Sequence, residues 1–374
     1  MIYLDYSATT PVNDEVLESF SNACKKYIGN PNSLHKLGIE ANNMIEKATK
    51  QIADLLNVKP NEIIYTSGSS ESNNLAIKGI AFKYKNRGKH IITTALEHSS
   101  VTAPLNYLIS LGYEVDVVKL DEYGRVDIED LKSLLRDDTI LVTINSVNSE
   151  TGITQPIDEI KKIVKKYDKC YLHVDMTQSI GKQKVDLTDI DLVSFSGHKI
   201  YGMKGIGVLV KNEKIDITPL IHGGKSTTIY RSGTPCLPLI VSLSKALRLI
   251  LTDLDKKYEK VLELNNYLKE QIKDLKDVYI NSNEYSIPHM LNISALGIKP
   301  ETMLHALEED EIYISTQSAC SSGKGVSSAV LAVTHDEKRA SSSIRVSISY
   351  LTTKEEIDSF VKSFKKNIER LRIK

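Results

Sequence analysis

The chain has 374 residues, a length that suits two or three domains. Hydrophobic residues make up 41% and charged ones 26%, an ordinary globular balance. Forty-eight basic side chains cancel forty-eight acidic ones, which argues against a nucleic-acid surface, so no direct nucleic-acid partner is expected. No apolar run approaches the roughly 20 residues that a membrane span needs. Met1-Ile-Tyr-Leu-Asp5 lacks the charged and apolar regions of a signal peptide, so a cytoplasmic, membrane-free location is expected. Cys24, Cys170, Cys236 and Cys320 are scattered with no CxxC pair, which disfavours a disulfide scaffold or zinc site and fits a reducing compartment.

From about residue 38 to 210 the pattern alternates between helix and strand. Gly38 to Leu56 reads as an amphipathic helix with Ile39, Met44, Ile45, Ala48, Ile52 and Leu55 on one stripe. Glu62 to Thr66 is a short apolar strand. Further strands are predicted at Lys89 to Thr94, Glu114 to Val118, Thr139 to Asn145, Cys170 to Val174, Asp191 to Phe195 and Ile206 to Lys211. These make a large, mostly parallel seven-stranded sheet covered by helices, an α/β fold. The last strand follows Lys199 too closely for a crossover helix, so it joins antiparallel or after a bend. Residues 211 to 237, rich in Gly, Thr, Ser and Pro, read as an irregular loop. A long helix is expected from about Pro238 to Lys276, and the remainder has the pattern of a smaller α+β domain.

Several predicted strands end on polar chemistry. Tyr65-Thr-Ser-Gly-Ser-Ser-Glu-Ser-Asn-Asn74 enters a helix near Ser70, and such a turn offers N–H groups and hydroxyls to a phosphate. A plain serine cap would look the same. Glu97-His98 follows the next strand, where a histidine faces the ligand crevice of an open α/β sheet or simply holds a loop. Asn148 and Gln178 lie past two other strand ends as neutral amides, or as turn residues. One strand ends at Asp175, and another leads through Ser-Gly-His198 into Lys199. A lysine able to form a Schiff base and an aspartate able to keep a pyridinium nitrogen protonated are the minimal apparatus for pyridoxal 5′-phosphate (PLP). Ser70, His98, Asn148, Asp175 with Gln178, and His198 with Lys199 are thus expected along one rim.

Two further candidates lie in the last part of the chain. Cys320 sits in Ser315-Thr-Gln-Ser-Ala-Cys-Ser-Ser-Gly-Lys-Gly325, among small residues with no apolar partner, as either a nucleophile or a surface thiol. Arg345 is placed on a strand, Ser343-Ile-Arg-Val-Ser347, where its fork could bind a carboxylate or form a structural salt bridge.

Taken in order, these segments resemble the NifS/IscS-like cysteine desulfurases of the class V aminotransferase group. The resemblance rests on Tyr3-Leu-Asp-Tyr-Ser-Ala-Thr-Thr10, Gly29-Asn-Pro-Asn-Ser-Leu-His35, Thr66 to Asn74, Glu97-His98, His173-Val-Asp175, Thr177-Gln178, Ser194 to Lys199, Arg231-Ser-Gly-Thr234 and Ser318-Ala-Cys320. It implies the PLP-dependent transferase fold type I. The corresponding division is an N-terminal arm (1–14) packing with the small domain, a large PLP-binding domain (15–255) and a small C-terminal domain (256–374) carrying the Cys320 loop.

The resemblance also implies roles. Lys199 carries the cofactor covalently, Asp175 holds the ring nitrogen, and His98 stacks on the ring and assists proton transfer. Ser69, Ser70, Ser196 and His198 hold the phosphate, joined by Thr234 from the partner of a homodimer. Asn148 and Arg345 receive the substrate carboxylate, and Gln178 the phenolic oxygen. Cys320 accepts sulfur from L-cysteine and is the one candidate for a transient iron–sulfur ligand, with no firm metal site otherwise. The sulfur would pass to an iron–sulfur scaffold or a tRNA-thiolation enzyme. A selenocysteine lyase, another PLP-dependent β-lyase and a non-catalytic sulfur-assembly scaffold are the alternatives. An aminotransferase has no use for a loop thiol. The chain departs from the family pattern at His222-Gly-Gly-Lys-Ser-Thr-Thr-Ile-Tyr230, at Ser70 and at Ser347-Ile-Ser-Tyr-Leu351.

Overall fold

The structure, a computed structural model, describes residues 1–316 and 325–372. Strand β1 (Ile2–Tyr3) opens the chain, followed by helices α1 (Asp14–Lys26) and α2 (Lys36–Leu56). The alternating region holds β2 (Ile63–Thr66), α3 (Ser69–Tyr84), β3 (His90–Thr94), α4 (Ser99–Ser110) and β4 (Glu114–Val118). It continues with α5 (Ile128–Leu134), β5 (Thr139–Asn145), α6 (Ile157–Val164), β6 (Tyr171–Asp175), β7 (Leu192–Ser196) and β8 (Gly207–Lys211). Next come α7 (Leu237–Leu251), α8 (Leu254–Ile272), β9 (Val278–Ile280), β10 (Met290–Ala295), α9 (Pro300–Glu308) and β11 (Ile312–Tyr313). The described chain ends with α10 (Ser328–Thr334), α11 (Glu337–Ala340), β12 (Ser343–Ser347) and α12 (Lys354–Arg372).

The seven-stranded sheet has the order β2-β8-β7-β6-β5-β3-β4. Neighbours from β7 through to β4 are parallel, while β8 runs antiparallel to both β7 and β2. The expected reversal of the last strand is therefore present, and it has a tight cause. The chain turns back over Gly197–Lys199 within a few residues, leaving no length for a crossover. All seven residues of β5 are buried, as a strand covered on both faces requires. Apolar clusters lie on both sides of the sheet, one with α2, α6 and α7 and the other with α3 and α4. Each Ile or Leu taken fully from water there contributes roughly 1.5–3 kcal/mol.

Two expectations for the helices change. Ile39 leaves the buried stripe of α2 and is exposed. The single long helix is broken between α7 and α8, where Asp253 adopts the left-handed conformation at φ 52°. Lys257 explains how the break is tolerated: its amine caps the carbonyls of Leu249 at 2.7 Å, Ile250 at 3.1 Å and Thr252 at 2.6 Å. A helical periodicity that runs across such a junction carries no mark of it.

The smaller α+β part is built on a three-stranded antiparallel sheet, β12-β10-β9, with α8, α9 and α12 packed around it. Leu4 is wholly buried in that second core, so the first residues of the chain are packed against the last ones. The arm then runs on to the large sheet. Asp5 bridges to Ser347, and Thr10 N donates to the carbonyl of His198 at 2.9 Å.

Candidate active site

The carboxyl ends of β2, β3, β5, β6 and β7 share one rim because these strands run in the same direction. A cavity of about 880 Å³, counting its open mouth, lies there. Its walls include Ser69, Ser70, His98, Asn145, Ser149, Asp175, Thr177, Gln178, His198, Lys199 and Arg345, together with Ser7 and Ala8 of the arm. This is the crevice that an open α/β sheet offers a ligand.

Asp175 closes β6, and its carboxylate is held from two sides. Asn73 Nδ2 donates to Oδ2 at 2.8 Å and the Thr177 amide to Oδ1 at 3.0 Å. Asn73 gives its other proton to Ser100 Oγ at 2.9 Å, which leaves the Ser100 hydroxyl free to donate to His98 Nδ1 at 2.8 Å. The Ser100 amide also donates to that nitrogen at 3.1 Å. With Nδ1 an acceptor, the neutral ring of His98 carries its proton on Nε2. Burial lowers the His98 pKa, helped by Lys199 and opposed by Asp175 and Glu150.

Lys199 stands at the end of the turn after β7. Its amine donates to the carbonyls of Ser7 and, at 2.7 Å, Ala8. His198 shares Nδ1 with Thr9 Oγ1 at 3.1 Å, and burial, then Lys199, lowers its pKa to about 4. Ser69 and Ser70 begin α3, where the first N–H groups and the helix dipole favour an anion. The Ser69 amide donates to Ser196 Oγ at 3.3 Å, tying that turn to the end of β7. A Cβ at position 207 would come within 2.6 Å of Gly68 Cα, so glycine is needed for β8 to pass the turn so closely.

Arg345, on β12, is almost wholly buried. It pairs with Asp5 at 2.7 Å and donates to the Ser149 carbonyl at 2.8 Å. Gln178 donates to the Ser7 carbonyl at 3.0 Å. Ser315, just before the residues holding Cys320, exchanges backbone hydrogen bonds with Arg345 at 2.7 and 3.2 Å. On the far side of that stretch the Ser327 hydroxyl donates to Glu150 at 2.6 Å. Cys320 itself lies outside the described residues.

Two sequence-predicted residues are placed elsewhere. Asn148 is not among the residues that line the cavity. Its Nδ2 donates to the Leu96 carbonyl at 2.9 Å, and its Oδ1 accepts from the Glu150 and Thr151 amides at 3.0 and 2.8 Å. It is a turn-capping amide, and Asn145 and Ser149 line the wall instead. Thr234 is exposed in a separate cleft with Thr66, Ser67 and Arg231, so within one chain it does not join the Lys199 cavity.

Sequence reasoning gave no site role to Ser7, Ala8, Thr177, Glu97 or Lys182. The Glu97 carboxyl accepts from Thr94 Oγ1 at 2.7 Å and the Asn145 amide at 2.9 Å. Burial still pushes its pKa up to about 8, against those hydrogen bonds and with the added charge of Asp175.

The fold, with a lysine on the rim of its mostly parallel sheet, is that of the fold type I class of PLP-dependent enzymes. The chain belongs to the class-V aminotransferase family, whose profile matches residues 2–360, and within it to the NifS/IscS-like cysteine desulfurases. It is 41% identical to the cysteine desulfurase IscS of Dictyoglomus turgidum over 99% of this chain and 95% of that protein. A solved NifS-like protein superposes with a TM-score of 0.94 at 36% identity, covering 99% of this chain and all of the other. A structure of SspA in complex with cysteine does so at 0.83 and 34%, over 94% of this chain and 100% of that one.

The residues present fit the cofactor that this family implies. Among the described residues, Ser7 Oγ, Asn145 Oδ1, Thr177 Oγ1 and Arg345 Nε are buried without a hydrogen-bond partner, and all four residues line the cavity. A polar, anionic ligand would accept from the two hydroxyls and the Arg345 Nε–H, and a donor on it would serve Asn145 Oδ1; the burial of such groups is otherwise costly.

Proposed function

We propose that the chain is a PLP-dependent cysteine desulfurase that takes the sulfur of L-cysteine onto Cys320 and releases L-alanine. One observation carries the reading. Lys199, Asp175 and His98 meet Arg345 in a single cavity, and the Arg345 backbone pairs with Ser315, five residues ahead of Cys320. Five residues of chain span at most roughly 17 Å, so position 320 lies within that distance of Ser315.

Bound PLP supplies an electron sink that takes up the pair left when an amino acid loses its Cα proton. Lys199 is the covalent tether and the base that moves that proton, and the Ser7 and Ala8 carbonyls hold its amine ready. Asp175, fixed by Asn73 and Thr177, keeps the ring nitrogen protonated. His98 is assigned to ring stacking and proton transfer, and Gln178 to the phenolic oxygen. Ser69, Ser70, Ser196 and His198 hold the phosphate, with Thr234 reaching in from the second copy of a homodimer. Arg345 takes the substrate carboxylate through groups not already given to Asp5 and Ser149. The Cys320 thiolate attacks the substrate sulfur. The Cβ–S bond breaks, an S–S bond forms, and the products are L-alanine and a Cys320 persulfide, which passes to an iron–sulfur scaffold or tRNA-thiolation enzyme in the cytoplasm.

The test is reconstitution with PLP followed by turnover of L-cysteine. The unaltered protein should gain a visible absorbance band and form alanine. Cys320→Ala should keep the band and lose sulfide release by about a hundredfold or more. Lys199→Ala should lose the borohydride-fixable attachment together with activity. A protein that stays colourless, or a Cys320→Ala variant with full sulfide release, would refute the assignment.

A further inference from the structure

Lys182 is a buried amine on which none of the steps above depends. It follows Asp175 in an irregular turn in which the amides of Ser179 and Ile180 bond to the Met176 carbonyl and that of Lys182 to the Ser179 carbonyl. Positions 178 and 182 therefore lie one above the other, as four-residue spacing in a helical turn requires. Gly181, at φ 76°, packs against Ile200 and Ile250 so closely that a Cβ there would sit 2.9 Å from both side chains. The turn is thus wedged against the large-domain core, and Lys182 comes with it.

Among the described residues the Lys182 amine has a single hydrogen-bond acceptor, Gln178 Oε1, at 2.8 Å. It shares a small internal cavity with Lys199, Thr10, Tyr201 and His289, behind the main site. Burial brings its pKa down to about 7, and the positive charges of Lys199 and Arg345 add to that fall. Keeping such an amine in the interior with one neutral partner costs stability, so its benefit has to lie elsewhere.

A glutamine amide has two orientations of equal shape, and its neighbours decide between them. Lys182 offers Gln178 a donor, whereas the Ser7 carbonyl can only accept. Together they turn Oε1 inward and Nε2 toward the arm and the cavity. The same Ser7 carbonyl accepts from Lys199, so a continuous chain of hydrogen bonds runs Lys182–Gln178–Ser7–Lys199. Nε2 carries two protons. Ser7 takes one, which leaves the other for an acceptor in the cavity that Gln178 lines.

We infer that Lys182 is a positioning residue for the cofactor site, locking the Gln178 amide with its N–H edge toward the bound ligand. The inference rests on the PLP reading above and adds to it the group that sets how tightly that ligand's acceptor oxygen is held. It predicts that Lys182 acts only through Gln178.

The experiment is a double-mutant cycle on PLP affinity, titrated by visible absorbance on the full-length apoprotein, with Lys182→Met, Gln178→Leu and the double variant. Lys182→Met should weaken PLP binding about tenfold, the size of one lost hydrogen bond in a buried site. It should also move the visible absorbance maximum while leaving the melting temperature unchanged or raised, since a desolvated amine is replaced by an apolar side chain. The double variant should bind no more than about threefold worse than Gln178→Leu alone, because the two changes break one chain. Lys182→Gln keeps an N–H donor and should restore affinity to within about threefold of the unaltered protein. Lys182→Leu serves as a second apolar variant if the methionine form does not fold.

Unchanged affinity in Lys182→Met, full additivity in the cycle, or a lowered melting temperature with normal binding would overturn the assignment. An unaltered protein that takes up no PLP overturns the parent reading as well, and that result is seen before any variant is compared.

Discussion

Part of the cavity wall is made by the ends of large-sheet strands, and part by the N-terminal arm with β12 of the small sheet. The rim presents side chains, each fixed by neighbours close to its own strand end: Asp175 by Thr177 and Asn73, His98 by Ser100. The arm contributes mostly backbone. The carbonyls of Ser7 and Ala8 hold Lys199, and Thr10 grips the His198 carbonyl through both its amide and its hydroxyl. The arm also reaches the small sheet, where the Ser7 amide donates to Ser347 Oγ at 3.0 Å and Asp5 pairs with Arg345. Chemistry and alignment are therefore divided. On the proposed function the rim carries the reacting groups, and the arm ties the lysine turn to the small sheet.

The largest effect expected from breaking the rim is at Asp175. Asp175→Asn keeps the shape but can accept from only one of Asn73 and Thr177, and it removes the charge proposed to hold a ring nitrogen protonated. Turnover of L-cysteine should fall roughly a hundredfold to a thousandfold, a larger loss than the one hydrogen bond given up at Asn73 or Thr177 accounts for. A loss of less than about tenfold in kcat would place the essential charge elsewhere.

The arm should fail differently. Asp5→Ala strips the counter-charge from an arginine whose side chain is only 1% exposed. Breaking a buried pair in this way costs about 3 kcal/mol or more, because the remaining charge stays desolvated. Denaturant unfolding should show that loss, and kcat should fall less than in Asp175→Asn. If Asp5→Ala leaves stability untouched and abolishes turnover, the arm carries chemistry and the division drawn between the two parts of the wall is wrong.

How much of this was legible in the sequence follows the same division. Strand ends announce themselves, because an apolar run stopping at Asp175, or at the turn before Lys199, marks both the element and its exposed tip. The seven strands and their common rim were readable on that basis. Ser7 and Ala8 were not, since a carbonyl acceptor has no residue type and nothing local says where the arm will lie. Asn148 is ambiguous for a related reason. An amide after a strand serves a turn as well as a ligand, and only the Leu96 carbonyl 52 positions away shows which. The break before α8 depends on Lys257 folding back on α7, another contact that periodicity cannot express. Glu97 stood in a motif already noticed, but its burial became visible only with the fold.

Glu97 bears on how the rim is held rather than on what it does, and its effect is seen only as pH is varied. Its carboxyl, ordinarily near 4.5, is raised to about 8 in the folded chain, chiefly by burial. Between those two values the unfolded chain has released a proton that the folded chain still keeps. Stability contributed by Glu97 is therefore complete below about pH 4.5 and is lost as pH rises toward 8, by up to about 1.4 kcal/mol per pH unit. His173 and His198, lowered to about 4, push the other way between pH 4 and 6.5. They are common to both proteins and cancel in a comparison. Glu97→Gln keeps an acceptor for Thr94 and the Asn145 amide but cannot ionise. Relative to the unaltered protein its melting temperature should rise between pH 5 and pH 8, by about 4 to 5 °C. A difference that stays constant across that range would mean the carboxyl titrates normally and Asn145 is held by an ordinary carboxylate.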